Sequence, residues 1–310
     1  MKVYIKSTGA FYPEKDPESG IFKTPKPLIK EFVDPRESRR MSKIIKSGIY
    51  SGMTALQKCG ISTPSAIVTG TGLGCLGDTV KFISSIIQYN EENLNPAPFI
   101  YSTHNSIGGQ ISIITGCKGY NSTFVHRGIS FESALFESFL MVKEKSEGDI
   151  LTGGADELTD EYLKITERMG LFKENCYPGE GSGFMVVSGE KGDSSVELAD
   201  MKLVPSFDRS KVEKHLGTFI EKNHITPENT LFFAPFNGDS SCDNWKKNII
   251  SKFNWKKIVA PKENCGEFMT AGALSSVKAA ETIMEQKAEN ILLWNSFLNM
   301  ESAFIFMRKV

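Results

Sequence analysis

The sequence predicts an α/β protein in which helices layer against mainly parallel strands. Three observations predict it. Short β-prone apolar runs alternate with segments of helical period, several of those runs end in glycine-rich turns, and the alternation starts again after residue 190. The restart marks two βαβ-rich halves, residues 1–190 and 191–310, with no low-complexity linker between them.

In order along the chain, Val3 to Ser7 reads as a strand. Residues 37–59 carry Met41, Ile44, Ile45, Ile49, Met53 and Leu56 at helical spacing, and Cys59-Gly60 closes that helix. Ala66-Ile67-Val68 begins a buried strand that runs into the glycine-rich turn Thr69 to Gly77, followed by a helix through Ile87. Pro96 to Ser102 precedes a helical stretch, Ser106 to Thr115, then a β-prone run, Ser122 to Val125, and a helix from Ser130 to Lys143. Asp149 to Gly154 and Phe184 to Val187 are strands. The second half repeats the pattern with a strand near Leu198 to Val204, a helix near Ser210 to Lys222 and a strand at Leu231 to Phe233. Helices at Asp243 to Phe253 and Thr270 to Gln286 follow, then a hairpin of Ile291 to Asn295 with Ala303 to Met307.

Composition narrows the function classes. With 310 residues, 40% hydrophobic and 24% charged, the chain has the makeup of a globular protein, and 36 Lys+Arg against 37 Asp+Glu give no overall positive field for nucleic acid or anionic lipid. The start MKVYIKSTGAFYP lacks the apolar core of a secretory signal, and no 18-residue apolar run follows, so a cytoplasmic protein without a membrane span is expected. Cys59, Cys75, Cys117, Cys176, Cys242 and Cys265 form no CxxC pair, and His104, His126, His215 and His224 show no paired ligand spacing. Free thiols and no metal are expected.

Five landmarks in order then carry a resemblance. They are the helix from Arg39 to Gly60 leading to Ala66 to Leu76; Gly116-Cys117-Lys118-Gly119-Tyr120-Asn121; Asp149 to Asp156, DILTGGAD; Pro178 to Gly183, PGEGSG, with Phe184 to Val187 after it; and Asn295-Ser296-Phe297. Together they resemble the β-ketoacyl-acyl-carrier-protein synthases, whose corresponding strings are VGVIIGTGIGG, GLKGPN, ADVMLAGGAE, PGEGAGVLVL and NSFGFGG. The resemblance implies the thiolase-like fold, two pseudo-symmetric halves in a layered sheet–helix sandwich, with the active site where the halves meet and a dimer built on strands beside the nucleophile.

The same resemblance implies a cysteine at the N-terminus of a buried helix, where the helix dipole and backbone N–H groups activate the thiol, and two histidines that stabilise the developing negative charge. Counting from Gly119 places Gly128 at the nucleophile's position; Ala234 to Asp243, resembling the family's AHGTGTPLGD loop, puts Pro235 at the first histidine's, and Lys262 to Ala273, resembling KSMTGHLLGAAG, puts Glu267 at the second's and keeps the family lysine as Lys262. Glycine offers no side chain to acylate, and proline neither donates there nor exchanges a proton. Lys262 is expected to pair with Glu267. Leu298 to Glu301 replaces the glycine-rich gate.

A slip of a residue or two brings Ser130, Cys265 or His126 to the site. Ser130 precedes a helical run and reads as an N-cap. Cys265 with Glu267 forms an unattractive pair, because a neighbouring carboxylate raises a thiol's pKa. His126 and Arg127 either bind an anion or fill the space of the missing site. The basic run Arg36, Arg39, Arg40, Lys43 and Lys46 is a solvated helix face or a docking face for an acidic acyl carrier protein, whose phosphopantetheine arm would be the ligand in place of any cofactor. The reading that follows is a degenerate ketosynthase-like subunit resembling chain-length factors, paired with an active ketosynthase or with itself. In such a pair Phe99, Tyr101 and His104 would line or cap the partner's tunnel. An acyltransferase with a relocated nucleophile and a homodimeric acyl-chain binder are the alternatives.

Overall fold

The computed structural model describes residues 1–144, 148–206 and 208–310. Its first half contains β1 (Tyr4–Phe11), the small hairpin β2 (Glu14–Lys15) and β3 (Phe22–Lys23), α1 (Pro35–Ser38), α2 (Lys43–Lys58), β4 (Ala66–Gly70), α3 (Leu76–Gln88), α4 (Pro96–Tyr101), α5 (Ser106–Thr115), β5 (Tyr120–Phe124), α6 (Ser130–Lys143), β6 (Ile150–Asp156), α7 (Asp160–Arg168) and β7 (Gly181–Ser188). The second contains β8 (Val196–Val204), α8 (Arg209–Lys222), β9 (Thr230–Phe233), α9 (Ser240–Ser251), β10 (Ile258–Val259), α10 (Ala271–Met284), β11 (Asn290–Ser296) and β12 (Ser302–Lys309).

Ten strands form one hydrogen-bonded series in the order β10-β9-β11-β12-β8-β1-β7-β6-β4-β5. Each half repeats one topology outward from the centre: β1-β7-β6-β4-β5 corresponds to β8-β12-β11-β9-β10. The halves meet at a short antiparallel ladder that pairs Tyr4 with Glu197 and Ile5 with Val196. The expectation of mainly parallel strands is corrected here. Among the described strands of this series, only β4 with β5 and β6, and β9 with β10 and β11, run parallel; β1–β7, β6–β7, β8–β12, β11–β12 and β1–β8 are antiparallel. The last strand of each half, β7 or β12, returns antiparallel and slots between that half's first strand, β1 or β8, and the strand just before it in the chain, β6 or β11. Strand–helix alternation does not reveal such a return.

Burial explains the layers. α6 and α10 bury apolar and small residues over most of their surface and lie between the two half-sheets, where Phe131, Leu135 and Phe139 share one core with Val277, Ala280 and Ile283. The outer face of the first half-sheet is covered by α2 and α5 through Ile44, Ile45, Ile49, Ile107 and Ile111. α8 and α9 cover the second through Val212, Leu216, Ile249 and Ile250. The helix expected over residues 37–59 begins only at Lys43. Asp34 caps a separate turn, α1, by accepting from the Arg36 N–H at 2.7 Å, and Ser42 is extended (φ -68°, ψ 170°). Gly60, at φ +70°, terminates α2 in the left-handed region.

Candidate functional site

Two turns at the ends of the central helices hold the candidate residues. The first carries the chain from β5 into α6 through a 3-10 turn, Arg127–Ile129, in which Arg127 sits at φ +52°. Ser130 is the first residue of α6 and not its cap, a correction to the expected role; the capping position is Ile129 and has no side-chain cap. The Ser130 hydroxyl accepts from the His126 N–H (2.9 Å) and donates to the Arg127 carbonyl (2.7 Å), so it closes the sharp turn that leads into the helix, which starts one residue earlier than a cap at Ser130 would set it. His126 Nδ1 lies 3.0 Å from Ser133 Oγ, and its ring stands edge-on to Phe124. His126 and Arg127 are both exposed, whereas Gly128 is buried. A Cβ built on Gly128 would overlap the Cβ of Phe297 and lie 3.2 Å from its Cγ. Phe297, 1% exposed at the end of β11, thus fills the space in front of the α6 N-terminus.

The second turn is charged. Pro235 follows β9, and its carbonyl accepts from Lys246 Nζ at 3.2 Å, which also donates to the Leu298 carbonyl at 2.9 Å. Burial, with the charge of Lys262 second, pushes the Lys246 ammonium down to about 8. Lys262, on the 3-10 turn Pro261–Asn264, donates to Glu267 Oε1 and to the Ser296 carbonyl, both at 2.7 Å. Glu267 Oε2 accepts from Asn237 Nδ2 (2.8 Å) and the Leu298 N–H (3.3 Å). The Lys262–Glu267 pair is therefore buried and closed, with both carboxylate oxygens engaged. A cleft of about 680 Å³ lined by Tyr177, Phe236, Asn237 and Lys247 reaches Lys262.

Cys265 and Glu267 do not meet as thiol and base. The thiol is turned to the carbonyls of Pro261 and Gly266, and burial pushes it up to about 12. Burial also raises Cys75, to about 12, as well as Cys176 and Cys242, so these thiols are poor nucleophiles.

Two buried carboxylates were missed by the reading of the sequence. Glu132, one turn into α6 beyond Gly128, accepts from Asn295 Nδ2 at 2.6 Å, while its Oε2 has no partner. It occupies space that any side chain at Gly272 would take, and burial pushes it up to about 7. Its signal was a glutamate between Phe131 and Ala134, on the face of α6 that also carries Leu135 and Phe139. Asp156 accepts from Thr71 Oγ1 (2.9 Å), the Gly72 and Leu73 N–H groups (2.8 and 3.3 Å), and the N–H and hydroxyl of Thr270 (3.0 and 2.8 Å). It ties the β4–α3 loop to the start of α10 across the two halves.

Phe99, Tyr101 and His104 lie elsewhere, on the side of the molecule formed by α3, α4 and α5. Phe99 is 58% exposed and rests on Phe82 with ring centroids 5.1 Å apart. Tyr101 is half-buried against the α2 core, and His104 covers the backbone at Gly74. In the basic run, Lys43 is not free, because it pairs with the buried Glu180. Lys46 has its ammonium lowered by burial and by Lys26 and Lys81. Among the described residues no cluster of His, Cys, Asp and Glu is arranged to hold a metal ion, and no helix is long and apolar enough to cross a membrane.

The family model for the β-ketoacyl synthase N-terminal domain matches residues 14–214. No curated protein matches the chain in sequence. Solved structures do match in fold. One is a type II polyketide synthase acyl-carrier protein in complex with its ketosynthase bound to the hexaketide, AntDE:AntF, with TM-score 0.83, 15% identity and coverage of 100% of this chain and 99% of that one. The ishigamide ketosynthase/chain length factor gives 0.82 at 13% identity, covering 100% of both chains. The ketosynthase ApeO in complex with its chain length factor ApeC from Xenorhabdus doucetiae gives 0.75 at 11% identity, covering 100% and 98%. The fold is thiolase-like.

Proposed function

We propose that this chain, which belongs to the β-ketoacyl synthase family, is a non-condensing subunit of the chain-length-factor type that pairs with an active ketosynthase in polyketide or fatty-acid-like synthesis. The observation that carries this reading is Phe297 packed on Gly128. Acyl transfer by covalent catalysis needs a nucleophilic side chain at the α6 N-terminus, and that space is filled with hydrocarbon. The second turn agrees with it. A proton donor for the developing negative charge is wanted at positions held by Pro235 and by a glutamate already neutralised by Lys262. Cys265 and Ser130 give no relocated nucleophile, since one thiol is buried with a raised pKa and the hydroxyl is locked into its own turn.

The partner is argued from the sheet edge. β5 is the terminal strand of the ten-stranded series, and exposed Tyr120, Val125, Ile113 and Leu140 flank it. An open apolar edge of this kind is an aggregation hazard unless another chain pairs with it. Two of the structures similar in fold are ketosynthases with chain length factors, and a third holds an acyl-carrier protein. On this reading the cleft that reaches Lys262 receives the carrier's phosphopantetheine arm, and Arg36 and Arg40 offer charge to its acidic surface.

Intact-mass spectrometry after incubation with acyl-carrier-protein thioesters tests the non-condensing role: no covalent adduct is expected, and a stable adduct at any residue overturns it. Co-expression with an active, cysteine-bearing ketosynthase tests the partner. A heterodimer is expected on size exclusion, with product length altered by resizing Phe99, Tyr101 or His104 while synthesis continues. A persistent homodimer favours the acyl-binding alternative, and a monomer removes support for both.

A further inference from the structure

We infer a second binding site, for an amphiphile with a linear apolar chain and an anionic head such as a fatty carboxylate, in a cavity on the far side of the Pro261–Asn264 turn. The inference does not rest on the reading of Gly128. The cavity has a volume of about 550 Å³, within the roughly 300–1,000 Å³ typical of small-molecule sites. It lies between the outer end of the second half-sheet and α10. Leu231 and Phe233, two apart on β9, face it together, and Val259 stands beside Phe233 in the parallel register of β10.

The opposite wall is a stripe of α10 at helical spacing, Leu274, Ser275, Lys278, Glu281 and Thr282. Small and polar side chains there leave unfilled the space that a bulky apolar stripe would close. Pro261 and Cys265 cap one end. Buried Phe233, Leu274 and Cys265 give the cavity an apolar base.

The rim sets the head group. Glu281 accepts from the Thr8 hydroxyl at 3.1 Å and is held toward β1. Lys278 is exposed and, among the described residues, has no carboxylate within ion-pair distance, so a free ammonium stands over an apolar slot. Tyr12 at the mouth adds a hydroxyl that desolvation, and then the charge of Glu281, keeps protonated. An alkyl carboxylate matches both features. The same turn separates the two spaces: Pro261 and Cys265 face this cavity, while Lys262 and Gly266 face the larger cleft.

The test is isothermal titration calorimetry of the full chain with dodecanoate below its micelle concentration, and with dodecyltrimethylammonium as the opposite head group. Saturable one-to-one binding of dodecanoate is expected. Ser275→Phe, which fills the cavity, should abolish it, and Lys278→Glu should weaken it by about tenfold while improving binding of the ammonium amphiphile. Thr282→Phe blocks the cavity's other end and serves if Ser275→Phe does not fold, which thermal unfolding reports. Absence of saturable binding, binding unchanged by cavity filling, or a head-group preference indifferent to Lys278→Glu would each overturn the assignment.

Discussion

The two halves repeat one strand topology, yet the turns that lead to their central helices are built from opposite materials. At the α6 entrance the chain places hydrocarbon, Phe297 against Gly128, with the half-paired Glu132 one turn further in. Before α10 it places charge: Lys262 with Glu267, Lys246 on two carbonyls, and Asn237 completing the carboxylate. Both are buried, so the difference is not one of exposure. A protein interior admits neither a void nor an unpaired charge. A position without a side chain is filled by a neighbour's ring, and a retained lysine is met by an acid one turn away.

The largest test of this contrast removes the charge from one side only. Lys262→Met should destabilise the protein by about 3–5 kcal/mol in urea unfolding, because Glu267 is left buried and unpaired, whereas adding Glu267→Leu should restore most of the loss. Equal stability of the single and double variants would break the comparison.

Glu132 supplies the next test. Its folded-state pKa of about 7 lies above the ordinary 4.5, so the folded protein binds more protons than the unfolded chain between those values. Stability should therefore be full below about pH 4.5 as far as this group is concerned, and should fall as pH rises through 7. Glu132→Gln keeps an acceptor for Asn295 and should remove that slope, gaining on the order of 3 kcal/mol at pH 8 relative to the parent.

Gly128→Cys sharpens the other side. Overpacking against Phe297 should cost about 1–3 kcal/mol in thermal or urea unfolding, and the variant should still fail to condense acyl thioesters. Gly128→Cys with Phe297→Ala relieves the overlap but leaves Pro235 and Glu267 in place, so radiolabelled thioester assays should still show no elongation. At the small end, Phe99→Ala should change stability by no more than about 0.5 kcal/mol, since the ring is largely exposed.

Much of the fold was legible because periodicity and turn chemistry are local. Ser106 to Thr115 and Ser130 to Lys143 read from the sequence as the helices that form, and the hairpin of β11 and β12 contains the expected Ile291 to Asn295 and Ala303 to Met307. α7 went unread: it spans only nine residues, five of them charged, and it buries only Thr166. The late start of α2 depended on a single extended residue, Ser42. At the site, the pairing of Lys262 with Glu267 followed from the resemblance, which sets a glutamate in the loop of the retained lysine, whereas Glu132 did not stand out, because the partner it meets among the described residues, Asn295, is 163 residues away.

The sequence by itself determined the alternation of strands and helices, the repeat after residue 190, the family, and the residue types at the turns, since each depends on neighbours within a few positions or on ordered motifs. Only the tertiary structure decided strand direction, the burial that raises Glu132 and lowers Lys246, and the seating of Phe297 on Gly128. Those depend on which distant segments displace water from one another, and desolvation is a property of the assembled layers that no local run of residues carries.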